Sequence, residues 1–165
     1  FIKAIMKNDE NMLVFLNQTL WTNFREDNID SIKDFVLIWN VFEDKCFRNS
    51  FKISEIEWFL QDKNLDFDSF KEYLLYFRER YTKDGRFTDK YQLHFRRDDN
   101  ESLVKKVLLW EISDTKKLIA WMLIIVYRFR NNLFHWLKEF WKLDSQRENF
   151  IIANNLLKTI LNQVL

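Results

Sequence analysis

The chain of 165 residues contains no proline, one glycine and one cysteine. A β-rich protein of this length needs many tight turns, which draw on glycine and proline, so the shortage of both residues predicts helices. A single cysteine, Cys46, excludes an internal disulfide and indicates a reducing compartment such as the cytoplasm. One glycine also excludes a glycine-rich phosphate-binding loop.

Metal binding and cysteine chemistry are disfavoured by the residue types present. The two histidines, His94 and His135, lie 41 residues apart and neither belongs to a pair with metal-ligand spacing. We therefore expect no metal site and no cofactor. Cys46 falls on the apolar face of a predicted helix, where a buried thiol is the ordinary interpretation.

The strongest apolar run is LIAWMLIIVY, which extends from Leu118 to Tyr127 and has ten residues. About twenty are needed to cross a bilayer, so we predict a buried core helix and no membrane association. Apolar residues make up 47% of the chain and charged residues 31%, a balance typical of globular proteins. At this length, a single helical domain over residues 1–165 is expected.

Charge is distributed unevenly along the chain, although the net charge is only +1. Residues 1–75 carry a balance of −5, whereas residues 76–165 carry +6. A basic half favours contact with a polyanion such as RNA. The alternative is that most of these charges form an ordinary solvated helical surface.

Apolar residues at helical spacing, together with capping residues, predict a series of helices. Three of them cover residues 4–24, Ser54 to Leu60 and residues 101–112. For the other four only the start is predicted: Ser31, Asp66 or Ser69, the cap Asp114 of the apolar helix, and Asp144 with Ser145 for the final helix. Ser31 with Asp34, and Ser145 with Glu148, resemble capping boxes. Residues 82–100 show no sustained period, so a functional loop, a disordered segment and a missed element all remain open.

A polar group follows the apolar run directly, in YRFRNNLFHW from Tyr127 to Trp136. Arg130 carries a fixed positive charge that can brace a phosphate, and His135 can exchange a proton near neutral pH. Asn131 and Asn132 offer amide donors and acceptors. Arg130 and His135 are about 140° apart around an ideal helix, so they converge more easily if the helix bends or ends here, or if two chains meet. A polar helix end bonded to the neighbouring core is the alternative interpretation.

The segment RNNLFH resembles the Arg-x4-His motif of HEPN domains, the higher-eukaryote and prokaryote nucleotide-binding family. A polar residue after the arginine, here Asn131, is also typical of that family. The preceding apolar helix, the early FVLIWNVFEDKCF and the late LDSQRENFIIANNLL support the likeness. The resemblance covers about residues 30–165. Residues 1–29, with a predicted N-terminal helix, lie outside it. Many relatives have a glycine after the histidine, where this chain has Trp136.

The resemblance implies an all-α fold, a compact helical bundle with a long final helix, paired as a homodimer so that two motifs face each other. Active members are metal-independent endoribonucleases of toxin–antitoxin, phage-defence and RNA-processing systems. Carried onto this chain, His135 would be the general acid/base, Arg130 would stabilise charge on the phosphate, and Asn131 would orient the histidine or a phosphate oxygen. Further substrate contacts would come from Arg128, Asn132, Trp136, Lys138 and Lys142.

The first functional expectation is therefore an RNA-cleaving toxin or phage-defence effector, controlled by an antitoxin or regulatory protein. A second possibility is a catalytically inactive HEPN-type module that binds RNA, nucleotide or a protein partner, with Trp136 marking the lost activity. A third is a helical dimerisation domain of a larger protein, which fits a chain that begins at Phe1 rather than at methionine.

Overall fold

The computed structural model describes residues 12–136 and 144–165, apart from the side chains of residues 134–136 and 144. In these residues the chain forms seven α-helices, three short 3₁₀ turns and one small hairpin. The helices are α1 (Met12–Leu20), α2 (Glu26–Phe47), α3 (Ile56–Gln61), α4 (Lys71–Tyr81), α5 (Glu101–Leu108), α6 (Thr115–Trp136) and α7 (Arg147–Val164). The 3₁₀ turns are Ile53–Glu55, Phe67–Phe70 and Asp144–Gln146, and the hairpin pairs β1 (Thr82–Lys83) with β2 (Arg86–Phe87). The predicted all-α class is confirmed.

Helix α6 forms the centre of the core, as the apolar run predicts. Every residue from Leu118 to Val126 is at most 5% exposed. A helix that is apolar all round needs neighbours on every side, and α3, α4, α5 and α7 all pack against it. Among the described helices, none has the length and apolarity that a membrane crossing requires.

The most extensive helix pair is α2 with α7. Phe35 of α2 meets Phe150 of α7 with ring centroids 5.1 Å apart, and Asn154 Nδ2 donates to Ser31 O at 3.1 Å. One face of α7 packs inward, since Phe150, Ala153, Leu157 and Ile160 are buried and Val164 is partly buried.

Aromatic rings connect α2 to the segment that precedes the motif. Trp39, Phe42 and Phe51 are buried together, and Tyr127 of α6 lies 4.9 Å from Phe51 and 5.9 Å from Trp39, measured between ring centroids. Such rings bury large apolar areas in defined orientations. They fix the rotation of α6 one residue before Arg128, where its polar residues begin.

Three helix boundaries differ from the sequence prediction. Helix α1 ends at Leu20 rather than at residue 24, and the predicted part over residues 4–11 lies outside the described residues. Helix α2 begins at Glu26, so Ser31 lies inside it and donates to Asn28 O at 2.8 Å instead of capping. Its first turn carries Glu26 and Asp27, whose negative charges suit a helix N-terminus. Helix α5 ends at Leu108 rather than at residue 112.

Capping residues of three other helices give a mixed outcome. Asp114 Oδ1 accepts from Lys117 N at 2.8 Å, as predicted for the cap of α6. Asp66 Oδ1 accepts from Asp68 N at 3.1 Å and opens the turn before α4. The predicted box of Ser145 with Glu148 is wrong, because a 3₁₀ turn occupies 144–146 and α7 starts at Arg147 without a side-chain cap.

Candidate functional site

Helix α6 runs unbroken through the Arg-x4-His segment, which forms its last two turns. A continuous helix keeps Arg130 and position 135 about 140° apart on one chain. The backbone of His135 and Trp136 belongs to α6, but their side chains are not among those described. Lys138 and Lys142, two predicted substrate contacts, lie outside the described residues.

Arg130 and Asn131 form an adjacent pair at the surface of this helix. Arg130 is exposed, and its Nη1 donates to Asn131 Oδ1 at 3.1 Å. Among the described side chains, no carboxylate pairs with Arg130. Asn131 Nδ2 is shielded from solvent and meets no acceptor among the described atoms. The guanidinium is therefore available to an anion, and the asparagine orients it.

Arg128 has a different environment from that expected of a substrate contact. It is only 3% exposed, and its Nη1 lies 2.7 Å from Asp99 Oδ2. Its Nε donates to Leu93 O at 3.1 Å, and its Nη2 donates to His94 O and to Asn132 Oδ1. A buried guanidinium requires such partners because an unpaired buried charge is very unfavourable.

Asn132 completes this arrangement and is also turned inward. It is 1% exposed, and its Nδ2 donates to Leu93 O at 2.8 Å. We call Arg128, Asn132 and Asp99 the loop clamp, because together they hold residues 93–99 against α6. In the described conformation, Arg128 and Asn132 support this loop instead of presenting polar atoms to a substrate.

Opposing effects act on the proton affinity of the clamp arginine. Burial lowers the pKa of Arg128, while the negative charge of Asp99 raises it and the positive charge of Arg96 lowers it further. An arginine still keeps its proton at physiological pH. The clamp is therefore an ion pair throughout that range, with a second cation nearby.

The clamped loop presents exposed basic residues beside the motif helix. His94, Arg96 and Arg97 are exposed, whereas Leu93 and Asp99 are buried. His94 has a left-handed backbone with φ of 48°, which is uncommon for residues other than glycine. The loop from the irregular 82–100 segment thus has a defined shape, fixed by bonds to α6.

A groove of about 440 Å³ lies next to this loop, farther toward the start of α6. Its apolar floor includes Ala120 and Ile124, and its rim combines both signs of charge, from Glu57, Arg97 and Asp98. Arg97 therefore lines a groove that also contains two carboxylates. Arg96 is not part of its lining.

The described residues contain no group of histidine, cysteine and acidic side chains arranged to hold a metal ion. Cys46 is half-buried, and burial raises the pKa of its thiol to about 11 against a weaker opposing effect of Lys63. A thiol with so high a pKa is a poor nucleophile at neutral pH. The chemistry available near the motif is that of its own arginine, amide and histidine residues.

Sequence reasoning missed Asp99, Leu93 and Arg96, the loop residues that meet or flank Arg128. One signal for a partner did exist: Arg128 directly follows a run of buried apolar residues, where a charge must be paired. The sequence contained no signal for which acid would supply that partner, since Asp98 and Asp99 are equivalent by spacing.

Comparison with known proteins identifies no relative: no family model matches the chain, and neither a curated protein nor a solved structure does. Functional inference therefore depends on the motif residues and their geometry.

Proposed function

We propose that the chain is a metal-independent endoribonuclease of the HEPN type, with its site at the C-terminal end of α6. The observation that carries this proposal is the exposed Arg130, which is oriented by Asn131 and pairs with no carboxylate of the described residues. Exposed cations of proteins are commonly balanced by acids, and an arginine left without one suits a phosphate, whose oxygens it can bind in a planar fork.

The chemistry needs a proton-transfer group besides the arginine, and His135 is the residue of α6 that can supply it. The 2′-hydroxyl oxygen of RNA attacks the adjacent phosphorus while a basic group accepts its proton. The bond from phosphorus to the 5′ oxygen breaks, and that oxygen receives a proton. The products are a 2′,3′-cyclic phosphate and a 5′-hydroxyl. Arg130 stabilises the charge that develops on the phosphate.

A second copy of the chain completes the site in this proposal. Arg130 and position 135 point about 140° apart on one continuous helix, so a single copy presents them on different sides. In a twofold dimer each copy offers the same surface to the other, and the arginine of one copy can act with the histidine of its partner. The same proposal makes the protein a cytoplasmic toxin or phage-defence effector, restrained by an antitoxin or regulatory protein.

The test is RNA cleavage by the wild type, Arg130→Ala and His135→Ala, with EDTA present throughout. Loss of the acid/base group should slow cleavage by about 10²–10⁴-fold, and loss of the arginine by about 10²–10³-fold. Lys158→Ala, which removes an exposed cation of α7, is the matched control and should cut at the wild-type rate. End-group analysis should find 2′,3′-cyclic phosphates.

Circular dichroism and size-exclusion chromatography would establish that each variant is folded and keeps its oligomeric state. Equal cleavage by folded His135→Ala would exclude the catalytic assignment. Wild-type protein that binds RNA without cutting it would instead favour the inactive HEPN-type module.

A further inference from the structure

The loop clamp joins two segments that are far apart in sequence at the place where the motif begins. Arg128 and Asn132 are one helical turn apart on α6, and both bind Leu93 O. A buried ion pair contributes little net stability compared with apolar residues of similar volume, although removing one partner is strongly destabilising. Its effect here is to fix one conformation of the 93–99 loop.

Asp99 also restrains the backbone of Arg96. Arg96 N donates to Asp99 Oδ2 at 2.7 Å, and Asp99 N donates to Arg96 O at 3.1 Å. The carboxylate that neutralises Arg128 therefore also fixes the backbone at Arg96. The Arg96 side chain is exposed and pairs with no carboxylate among the described side chains.

Arg96 is also close to the motif helix. Its positive charge acts on Arg128, which is seven residues before position 135 and therefore on nearly the same side of α6. Asp99 pairs with Arg128, so the exposed guanidinium of Arg96 adds positive charge to this surface. Such a surface suits the phosphodiester backbone of a nucleic acid.

Taking the RNA-cleaving function proposed above as the basis, we infer that Arg96 contacts a phosphate of the RNA substrate and that the loop clamp positions it. Arg128 and Asp99 are then positioning residues, which act on the substrate through Arg96. The irregular 82–100 segment contributes to the site as a preformed substrate-binding loop.

Arg97 is the matched control for Arg96. The two residues are adjacent, of the same type and both exposed. Arg97 lines the groove whose rim also holds the carboxylates of Glu57 and Asp98, whereas Arg96 does not line it. Its removal should therefore change RNA binding much less than removal of Arg96.

The experiment measures binding of a fluorescein-labelled, single-stranded RNA oligonucleotide of mixed sequence by anisotropy, over a series of KCl concentrations. The protein is the full chain with His135→Ala, so that the RNA stays intact. Loss of one phosphate contact to a single strand should lower the slope of log K against log salt by about 0.7, which is about fivefold in affinity at 0.1 M salt. We expect this change for Arg96→Ala and less than twofold for Arg97→Ala.

Asp99→Asn separates positioning from simple electrostatics. This substitution removes a negative charge, so electrostatic attraction alone would strengthen RNA binding. If the clamp positions Arg96, RNA binding should instead become weaker, because the loop that carries Arg96 loses its restraint. Tighter or unchanged binding by folded Asp99→Asn would refute the positioning role.

The outcomes also distinguish this inference from the proposed nuclease. If Arg96→Ala and Arg97→Ala bind equally well while the wild type cleaves RNA, the Arg96 contact is wrong and the nuclease stands. If Arg96→Ala alone loses affinity while the wild type cuts nothing, the contact stands and the nuclease is wrong. Failure of the parent protein to bind RNA would overturn both.

Discussion

Removing one partner of the buried pair between Arg128 and Asp99 should destabilise the protein far more than removing both. The side chains of these residues are only 3% and 7% exposed, and their charged atoms are 2.7 Å apart. At an effective dielectric constant of about 20, unit charges about 3 Å apart attract by about 5–6 kcal/mol. Desolvation of both groups offsets most of that attraction, so the net contribution of the pair is small.

Single substitutions lack this compensation. Asp99→Ala leaves the Arg128 charge buried, and we expect a loss of about 3–5 kcal/mol in the free energy of unfolding. Arg128→Met should cost as much, because Asp99 is then buried alone. Leu93 O keeps its bond from Asn132 Nδ2 in either variant. The double variant should lose only about 1–3 kcal/mol, so the coupling energy, which is the sum of the single losses minus the double loss, should be about 3 kcal/mol or more.

Urea and thermal unfolding, followed by circular dichroism, would measure this cycle. For a domain of this size, a loss of 3 kcal/mol lowers Tm by about 6–12 °C. The exposed pair of Lys52 and Glu55, 2.8 Å apart, is the control, and its cycle should give about 0.5 kcal/mol or less. Additive effects of Arg128→Met and Asp99→Ala would refute the clamp as an energetically coupled unit.

Two further predictions concern the core and the cysteine. Phe42→Ala should lower the free energy of unfolding by about 3–5 kcal/mol because Phe42 is fully buried. The control Trp58→Ala should change it by no more than about 0.5 kcal/mol because Trp58 is 75% exposed. Similar urea midpoints for the two variants would contradict this prediction. With its pKa raised to about 11 from 9.0, Cys46 should react with iodoacetamide at pH 8 about a hundredfold more slowly than in urea-unfolded protein. The rate should rise about tenfold per pH unit up to pH 10, and equal rates in folded and unfolded protein would exclude the burial effect.

Much of the fold follows from local features of the sequence. The lack of proline and the single glycine predict helices, and the helical spacing of Phe70, Leu74, Phe77 and Tyr81 identifies a face that is buried in full. Helix starts were less predictable. Ser31 has the residue type and spacing of a cap, but α2 starts at Glu26, with Glu26 and Asp27 in its first turn. The residue before the helix, Arg25, makes no side-chain cap, so the usual cap signal is missing at the observed start.

The 82–100 segment was less predictable still. Residues 82–87 form a hairpin that the sequence pattern did not identify, and the conformation of residues 93–99 depends on bonds from α6, above all those to Leu93 O and Asp99. No apolar period or turn signature encodes these bonds, because they join an irregular loop to single polar atoms of a helix. From the sequence, a functional loop was one of several possible interpretations of this segment, but its conformation and contacts could not be predicted.

The assignment of the two arginines in RFR follows from one geometric fact. Arg128 and Arg130 are two residues apart, so they lie about 200° apart around α6 and cannot both face the same neighbour. Once the 93–99 loop packs on one side, the arginine on that side must be neutralised, and Asp99 does this for Arg128. The other arginine is thereby directed to solvent, where Arg130 is found. Docking of the loop thus decides which arginine is exposed, and if Arg96 and Arg130 bind RNA as proposed, weakening the clamp should disturb binding at Arg96 before it affects Arg130.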